Sequence, residues 1–124
     1  MAYTAFARSA PAARGVESAL SSQVRVEGTH RVVVLRGEAD FSTTSVLCGV
    51  LARVIALPDG DVVVDLAELA FIDTAAVRAL AVGQRLLGRR GRGMALRSPS
   101  RLVARVMDYG GLSGLVEGGE GAQR

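Results

Sequence analysis

The fold of this chain is decided by residues 62–76, VVVDLAELAFIDTAA. The run opens with three valines after the turn-forming residues 59–61, as expected for a strand that is buried on both faces. At its other end, Asp73 or Thr74 can supply the N-cap oxygen of a helix that continues with an apolar face. The sequence therefore predicts a buried strand, a short loop, and a helix that begins at Asp73-Thr74.

Two strands and a helix are predicted before this run. Residues 24–27 and 30–35 are separated by Gly28-Thr29, a spacing that is typical of a β-hairpin. One of the hydroxyl residues 42–44 can cap the next helix, because apolar side chains recur at helical spacing over residues 46–54. The chain therefore enters residues 62–76 from a hairpin and a first helix.

A similar alternation follows. The second helix should run to about Gly88, and residues 94–97 should form a short strand. Ser98-Pro99 fits an N-cap with proline at the first helical position, and Gly110-Gly111 would end this third helix. Leu115-Val116 is a candidate for a last edge strand.

This order predicts a single small α/β domain with helices packed against a sheet. Right-handed crossovers give a mainly parallel sheet of four to five strands with an antiparallel N-terminal edge strand. Residues 1–22 are expected to be a flexible leader, residues 23–116 the domain, and residues 117–124 a flexible Gly-rich tail.

The composition narrows the class of protein. Of the 124 residues, 49% are hydrophobic, which is enough for a core, and no apolar run approaches the roughly 20 residues of a membrane span. All 15 basic residues are arginine, so the net charge of +3 is weak evidence for a nucleic-acid partner. With one cysteine and no signal-peptide pattern, a cytoplasmic protein without membrane insertion is expected.

The residues of ordinary catalysis are few. His30, the lone histidine, has no serine or aspartate partner at motif spacing, and Cys48 falls beside apolar helix positions where a buried structural thiol is usual. No phosphate-binding glycine loop, zinc spacing or nucleophile elbow is present. We predict that the protein is not an enzyme and that it uses no cofactor and no metal.

Two acidic residues occupy positions of interest. Asp40 follows the second predicted strand and Asp73 follows the third, so parallel strands would place both at the sheet edge where α/β domains carry their sites. Each can also simply cap the following helix and interact favourably with its dipole. The two roles are compatible, and both remain open.

Eight arginines and no acidic residue lie between Arg78 and Arg105. The simplest explanation is a solvated helix face in an arginine-rich protein. The alternative is an electropositive surface for an acidic protein or, less favoured, for nucleic acid.

The ordered set of these segments resembles the STAS family, the domain of sulphate transporters and anti-sigma factor antagonists. The matching stretches cover about residues 24–116: residues 32–40, 62–66, 71–73, 91–100 and 110–112. A free-standing domain is similar to the bacterial anti-sigma factor antagonist branch. The resemblance implies binding to an anti-sigma factor that is also a serine kinase, with the partner surface formed at Asp40, Asp73, Thr74, Ala75 and Arg78.

The resemblance also implies a phosphorylation switch that this chain alters. In the family, the aspartate is followed by serine, then serine or threonine, then glycine, and the second hydroxyl residue takes the phosphate. Here the segment is Asp73-Thr74-Ala75-Ala76, so Ala75 stands at the phosphoacceptor position and has no hydroxyl.

Three outcomes follow from this substitution. The protein is a constitutive binder, or Thr74 takes the phosphate one residue early, or the domain is a binding subunit of another assembly, as in lipid transport or stress signalling. The sequence leaves the oligomeric state open.

Overall fold

The structure, a computed structural model, describes residues 19–117. In this part of the chain four strands and three α-helices follow one another in the order β1-β2-α1-β3-α2-β4-α3. Short 3-10 turns precede α1 and follow α3. The bounds are β1 Leu20–Glu27, β2 His30–Ala39, a 3-10 turn Phe41–Thr43, α1 Thr44–Ile55, β3 Val62–Ile72, α2 Thr74–Gly88, β4 Met94–Arg97, α3 Arg101–Tyr109 and a 3-10 turn Ser113–Leu115.

The sheet has the strand order β1-β2-β3-β4. Strand β1 pairs with β2 in the antiparallel sense, whereas β2, β3 and β4 run parallel to one another. This arrangement confirms the predicted α/β class with its antiparallel N-terminal edge strand. The candidate fifth strand is reduced, among the described residues, to one isolated bridge between Leu96 and Val116.

One face of the sheet carries the main hydrophobic core. Alternate residues of the strands point to this face and pack against the buried sides of all three helices, so the helices form a single layer. The core residues are aliphatic: they include Val33, Leu35, Val62, Val64, Leu96, Leu47, Leu51, Leu80, Leu87, Val103 and Met107.

The opposite face carries a smaller buried cluster of Val32, Val34 and Val63. Arg97 on β4 donates to Glu27 on β1 at 3.1 Å and to Glu117 at 3.0 Å. Since strand alternation places Glu27 and Arg97 on the same face as these valines, the Arg97–Glu27 ion pair crosses the sheet between its two edge strands. The paired carboxylates raise the pKa of Arg97, first through the hydrogen bond that Glu117 accepts and then through the one that Glu27 accepts.

Arg92 is the one buried charged residue within residues 19–117, with 8% of its surface exposed. Its guanidinium donates four hydrogen bonds of 2.7–2.9 Å to the carbonyl oxygens of Val54, Ile55, Leu57 and Gly60. These carbonyls lie at and beyond the C-terminal end of α1, where the backbone acceptors lack helical partners. Arg92 therefore fixes the end of α1 and its connection to β3.

The region after Val64 differs from the prediction. Strand β3 continues to Ile72, so the loop expected before the helix is wrong, and β2 likewise continues to Ala39. The β2–β3 register shifts between Val34 and Arg36 and again between Gly37 and Glu38. Such irregularities break the two-residue alternation of side chains, and with it the sequence signal for a strand.

Three predicted boundaries also change. Ser98 is not an N-cap: it has a left-handed φ of 56°, and the Ser100 hydroxyl instead accepts from the Val103 amide to cap α3. Strand β1 begins at Leu20, inside the predicted leader. Glu117, the first residue of the predicted tail, is held by its amide to the Leu96 carbonyl at 2.7 Å. The rest of the leader and tail lies outside the described residues.

We expect Arg92→Ala to lower the free energy of unfolding by about 3 kcal/mol, because it removes four hydrogen bonds from a buried charged donor. Of the four carbonyls, only that of Ile55 keeps a charged donor, Arg90. Urea denaturation measures this change. Arg89→Ala is the matched control: Arg89 is exposed, and its replacement should change stability by less than about 0.5 kcal/mol. Equal effects of the two substitutions would contradict the role assigned to Arg92.

Candidate functional site

The two acidic residues singled out in the sequence lie next to each other at one end of the sheet. Ala39 and Ile72 are paired at the carboxyl ends of β2 and β3, and Asp40 and Asp73 are the next residues along each chain segment. The amide of Asp73 donates to the Ala39 carbonyl at 3.0 Å. The parallel pairing therefore brings both carboxylates to the same end of the sheet, as expected from the sequence. We call the site formed by Asp40 and Asp73 the acidic corner.

The Asp73 carboxylate joins two elements at this corner. One oxygen, Oδ1, accepts from the Ala76 amide at 3.0 Å and caps the N-terminus of α2. The other, Oδ2, accepts from the Phe41 amide at 2.9 Å in the β2–α1 connection. Asp73 thus acts as a helix cap and as a tie between the two connections.

Asp40 organises the connection on its own side. Its Oδ1 accepts from the Ser42 amide at 2.9 Å and from the Ser42 hydroxyl at 2.6 Å, while its own amide donates to Thr43 Oγ1 at 2.9 Å. The Ser42 hydroxyl, more than the backbone amides of Ser42 and Thr43, lowers the pKa of the Asp40 carboxyl below its ordinary value. The hydroxyl residues 42–44 thus support a capping box around Asp40, rather than supplying the cap themselves.

Thr74 is the first residue of α2 and is exposed. Because Asp73 provides the cap, the Thr74 hydroxyl is not used for capping, and it has no hydrogen-bond partner within residues 19–117. Ala75 is half-buried and Ala76 is buried. Of the two candidate N-cap residues, the structure therefore selects Asp73 and leaves the Thr74 hydroxyl exposed.

An apolar groove runs between α1 and α2 from this corner. We call it the α1–α2 groove. Its volume is about 420 Å³. Phe41, with 83% of its surface exposed, lies at the end of the groove that is next to Asp73, which we call the upper end. It is lined by Phe41, Thr44, Cys48, Leu51, Ala52, Ile55, Ala75, Arg78, Ala79, Val82, Gly83 and Leu86.

Cys48 is exposed in this groove, so the expectation of a buried structural thiol is wrong. The residue lies on the side of α1 that faces the groove instead of the side that faces the sheet. Sequence spacing alone did not separate these two sides, because apolar residues line both of them.

The eight arginines between Arg78 and Arg105 do not form one uniform surface. Arg92 is buried, Arg97 is paired with Glu27 and Glu117, and Arg90 donates to the Ile55 carbonyl at 3.0 Å. Arg78 is exposed and lines the groove, and Arg85 and Arg89 are exposed along the same helix. Three of the eight thus serve the fold, three form a stripe beside the groove, and Arg101 and Arg105 are exposed on α3.

Residues 19–117 contain no group of three or more histidine, cysteine, aspartate or glutamate side chains able to hold a metal ion. Within the same residues, no helix combines the length and the apolar character that crossing a membrane requires.

Comparison with protein families then identifies the domain. Residues 22–117 match the family model described as Mlab, STAS domain. The chain belongs to the STAS family. The match spans the sheet, all three helices, the acidic corner and the α1–α2 groove. No curated protein matches the chain.

Solved STAS-fold structures agree with this assignment. The unphosphorylated anti-sigma factor antagonist SpoIIAA is 21% identical, with a TM-score of 0.67 over 77% of this chain and 85% of that chain. An anti-sigma factor antagonist from Mycobacterium paratuberculosis is 23% identical, with a TM-score of 0.69 over 79% of this chain and 83% of that one. The murine anion transporter Slc26a9 is 16% identical, with a TM-score of 0.60 over 75% of this chain but 18% of the transporter. At these identities the likeness shows a common fold.

We expect Asp73→Ala to lower the free energy of unfolding by about 1–2 kcal/mol, because it removes the cap of α2 and the tie to the Phe41 amide. Denaturant unfolding measures the loss. Asp108→Ala removes an exposed carboxylate of α3 and should change stability by less than about 0.5 kcal/mol. A loss no larger than that of the control would show that the Asp73 bonds do not stabilise the corner.

The pKa of the Asp40 carboxyl should lie below its ordinary value of 3.8, and Ser42→Ala should raise that pKa because the largest favourable contact is lost. Since the folded pKa is depressed, the stabilisation from this carboxylate is present above pH 3.8 and is lost as the pH falls through the folded pKa. Carbon-detected NMR titration measures both values. An unchanged Asp40 pKa in Ser42→Ala would contradict this assignment.

Proposed function

We propose that this STAS domain is a non-enzymatic, protein-binding regulator, and that it acts as an anti-sigma factor antagonist. Its partner would be an anti-sigma factor of the serine-kinase type, bound in a bacterial cytoplasm and thereby kept from its sigma factor. The single observation that carries the proposal is the acidic corner, where Asp73 ties the start of α2 to the β2–α1 connection.

The proposed partner surface consists of Asp40, Asp73, Thr74, Ala75 and Arg78. Asp40 and Asp73 are held by hydrogen bonds, so the corner is preorganised before any partner arrives and little conformational entropy is lost on binding. Thr74 and Arg78 are exposed on the same helix, and Ala75 and Arg78 line the groove beside the corner. Fixed acceptors next to exposed apolar surface are suited to recognising a protein.

Ala75 decides how such a protein would be regulated. With no hydroxyl at this position, phosphate cannot be accepted there, and the domain would remain in its binding-competent form. We therefore propose constitutive binding without phosphoregulation at Ala75. The proposal gains support from the half-buried setting of Ala75, whose methyl group adds to the groove lining.

Thr74 offers the second version of the same function. Its hydroxyl is exposed and uncapped, and a phosphate there would add nearly two negative charges at the N-terminus of α2. The neighbouring Asp73 carboxylate already occupies the capping position, so the phosphate would also increase the local negative charge and oppose an acidic partner surface. In this version a kinase would switch binding off through Thr74.

A second candidate function is a binding subunit of another assembly, in lipid transport or stress signalling. The observation that favours it is the family model that matches, which is described as Mlab, STAS domain, together with the missing hydroxyl at Ala75. The same corner would then contact a subunit of that assembly. Identification of the protein bound at the corner separates the two candidates.

We expect the chain to bind a purified serine-kinase anti-sigma factor of the same organism, and Arg78→Glu to weaken that binding at least about tenfold by reversing a charge within the interface. Isothermal titration calorimetry measures the dissociation constants. Arg101→Glu makes the same charge change on α3 and should leave binding within about twofold. Recovery of transporter subunits instead of the kinase-type protein would favour the second candidate.

Incubation of this complex with ATP distinguishes the two versions. Constitutive binding predicts no phosphate on the chain by mass spectrometry and an unchanged dissociation constant. Phosphate on Thr74, absent in Thr74→Val, would contradict constitutive binding and establish the switch.

The arginine-rich alternative makes a separate prediction. Nucleic-acid binding through Arg85, Arg89, Arg101 and Arg105 would weaken steeply with salt, because phosphate contacts release counterions. We expect no retention on nucleic acid at low salt, and strong salt-dependent retention would contradict the protein-binding proposal.

A further inference from the structure

We propose that the α1–α2 groove is the docking site for an amphipathic helix with an acidic flank, supplied by the partner protein. This inference rests on the proposed function and specifies the chemistry of the partner segment. It concerns a surface beyond the acidic corner, extending along both helices to Ile55 and Leu86.

The shape of the groove favours an inserted helix. Two helices form its walls, and small residues of α2 form part of its floor: Ala75, Ala79 and Gly83. Gly83 carries no side chain, and a Cβ built there would lie 3.4 Å from Met94 Cε and 3.5 Å from Leu51 Cδ1. The volume of about 420 Å³ can hold several aliphatic side chains of an inserted helix, presented at its i, i+3, i+4 and i+7 positions.

The surface around the groove is apolar and exposed. Phe41 is 83% exposed, Val82 42% and Leu86 38%, and all three line it. These residues line the same groove as Cys48. The other exposed large apolar residues within 19–117 do not line it: Val26, Phe71, Leu102 and Tyr109. Exposed apolar residues gathered in one groove mark an interaction site.

The charge around the groove selects the occupant. Helices α1 and α2 contain no acidic residue. Arg78 and Arg85 lie on α2, and Arg89 is its C-cap residue. Intervals of seven and four residues place these three side chains within about 20° of one line along the helix axis. None of them has an ion-pair partner within residues 19–117. An apolar groove edged by unpaired cations complements a helix with an apolar face and glutamates or aspartates along its flank.

The corner and the groove make one surface with two signs of charge. Asp40 and Asp73 lie at the upper end, beside Phe41, and the arginine stripe continues down α2. A partner helix would insert its apolar side chains between α1 and α2 and place its acidic flank against Arg78 and Arg85. Nucleic acid carries no aliphatic side chains to insert between the two helices, so it does not make the same set of contacts.

The test uses a synthetic amphipathic peptide about as long as α2, with leucines at i, i+3, i+4 and i+7 and glutamates along one flank. Fluorescence anisotropy of the labelled peptide is measured against the full chain. A matched peptide with every glutamate replaced by glutamine should bind at least about fivefold more weakly, and Arg78→Gln should remove about threefold of the affinity for the glutamate peptide. Arg101→Gln is the control on α3 and should have no effect.

Cys48 supplies a test of location, because it is the single cysteine of the chain and lies in the groove. Reaction with N-ethylmaleimide should weaken peptide binding by more than about tenfold by filling the groove. Cys48→Ser treated with the same reagent cannot react and should retain binding. Far-UV circular dichroism of the modified chain verifies that it is still folded.

Several results would overturn the inference. These are absence of binding by either peptide, equal binding of the glutamate and glutamine peptides, or binding unaffected by maleimide at Cys48. Binding of a long-chain fatty acid in place of the peptide would assign the groove to an acyl chain, and a dimer lost in Val82→Glu would assign it to a second copy. If the kinase-type protein still binds while the peptide tests fail, only the groove inference fails; if the peptide binds but no kinase-type protein does, only the proposed function fails.

Discussion

The carboxylate of Asp73 is the contact on which the arrangement of this surface depends. It accepts one hydrogen bond from the start of α2 and another from the Phe41 amide, so it fixes the helix relative to the preceding connection. Strand pairing between Ala39 and Ile72 holds the two segments at the right separation for this bridge. The acidic corner, the exposed Phe41 side chain and the upper end of the α1–α2 groove all follow from that geometry.

The neighbouring features combine opposite chemical characters in a small area. Asp40 caps the 3-10 turn that leads into α1. Asp73 caps the N-terminus of α2, where its carboxylate also interacts favourably with the helix dipole. Along α2 the apolar lining of the groove and the arginine stripe run side by side. Ala75 connects the acidic corner to the groove, because it lies one residue after Thr74 and lines the groove. A methyl group at this position favours permanent contact with a partner, whereas a charged group would oppose apolar packing.

The sequence predicted the layered fold because hydrophobic periodicity and turn residues mark its strands and helices clearly. It placed Asp40 and Asp73 at one sheet edge, since the edge follows from parallel pairing. It did not predict the extension of β3 to Ile72, because the register shifts opposite Gly37 remove the alternation. Nor did it predict the exposure of Cys48 or the four bonds of Arg92, since both depend on which helix sides meet in three dimensions. Gly91 and Gly93 interrupt the helical pattern around Arg92, but nothing in the sequence identifies the carbonyl groups that Arg92 contacts.

The acidic corner and the α1–α2 groove are proposed to form one protein-binding surface. Hydrogen–deuterium exchange of the chain with and without its kinase-type partner tests this most directly. We expect the backbone amides of residues 40–52 and 73–86 to exchange more slowly in the partner complex, and those of β1 and α3 to exchange at unchanged rates. Protection confined to α3, or to the sheet face that carries the Arg97–Glu27 pair, would contradict this proposal.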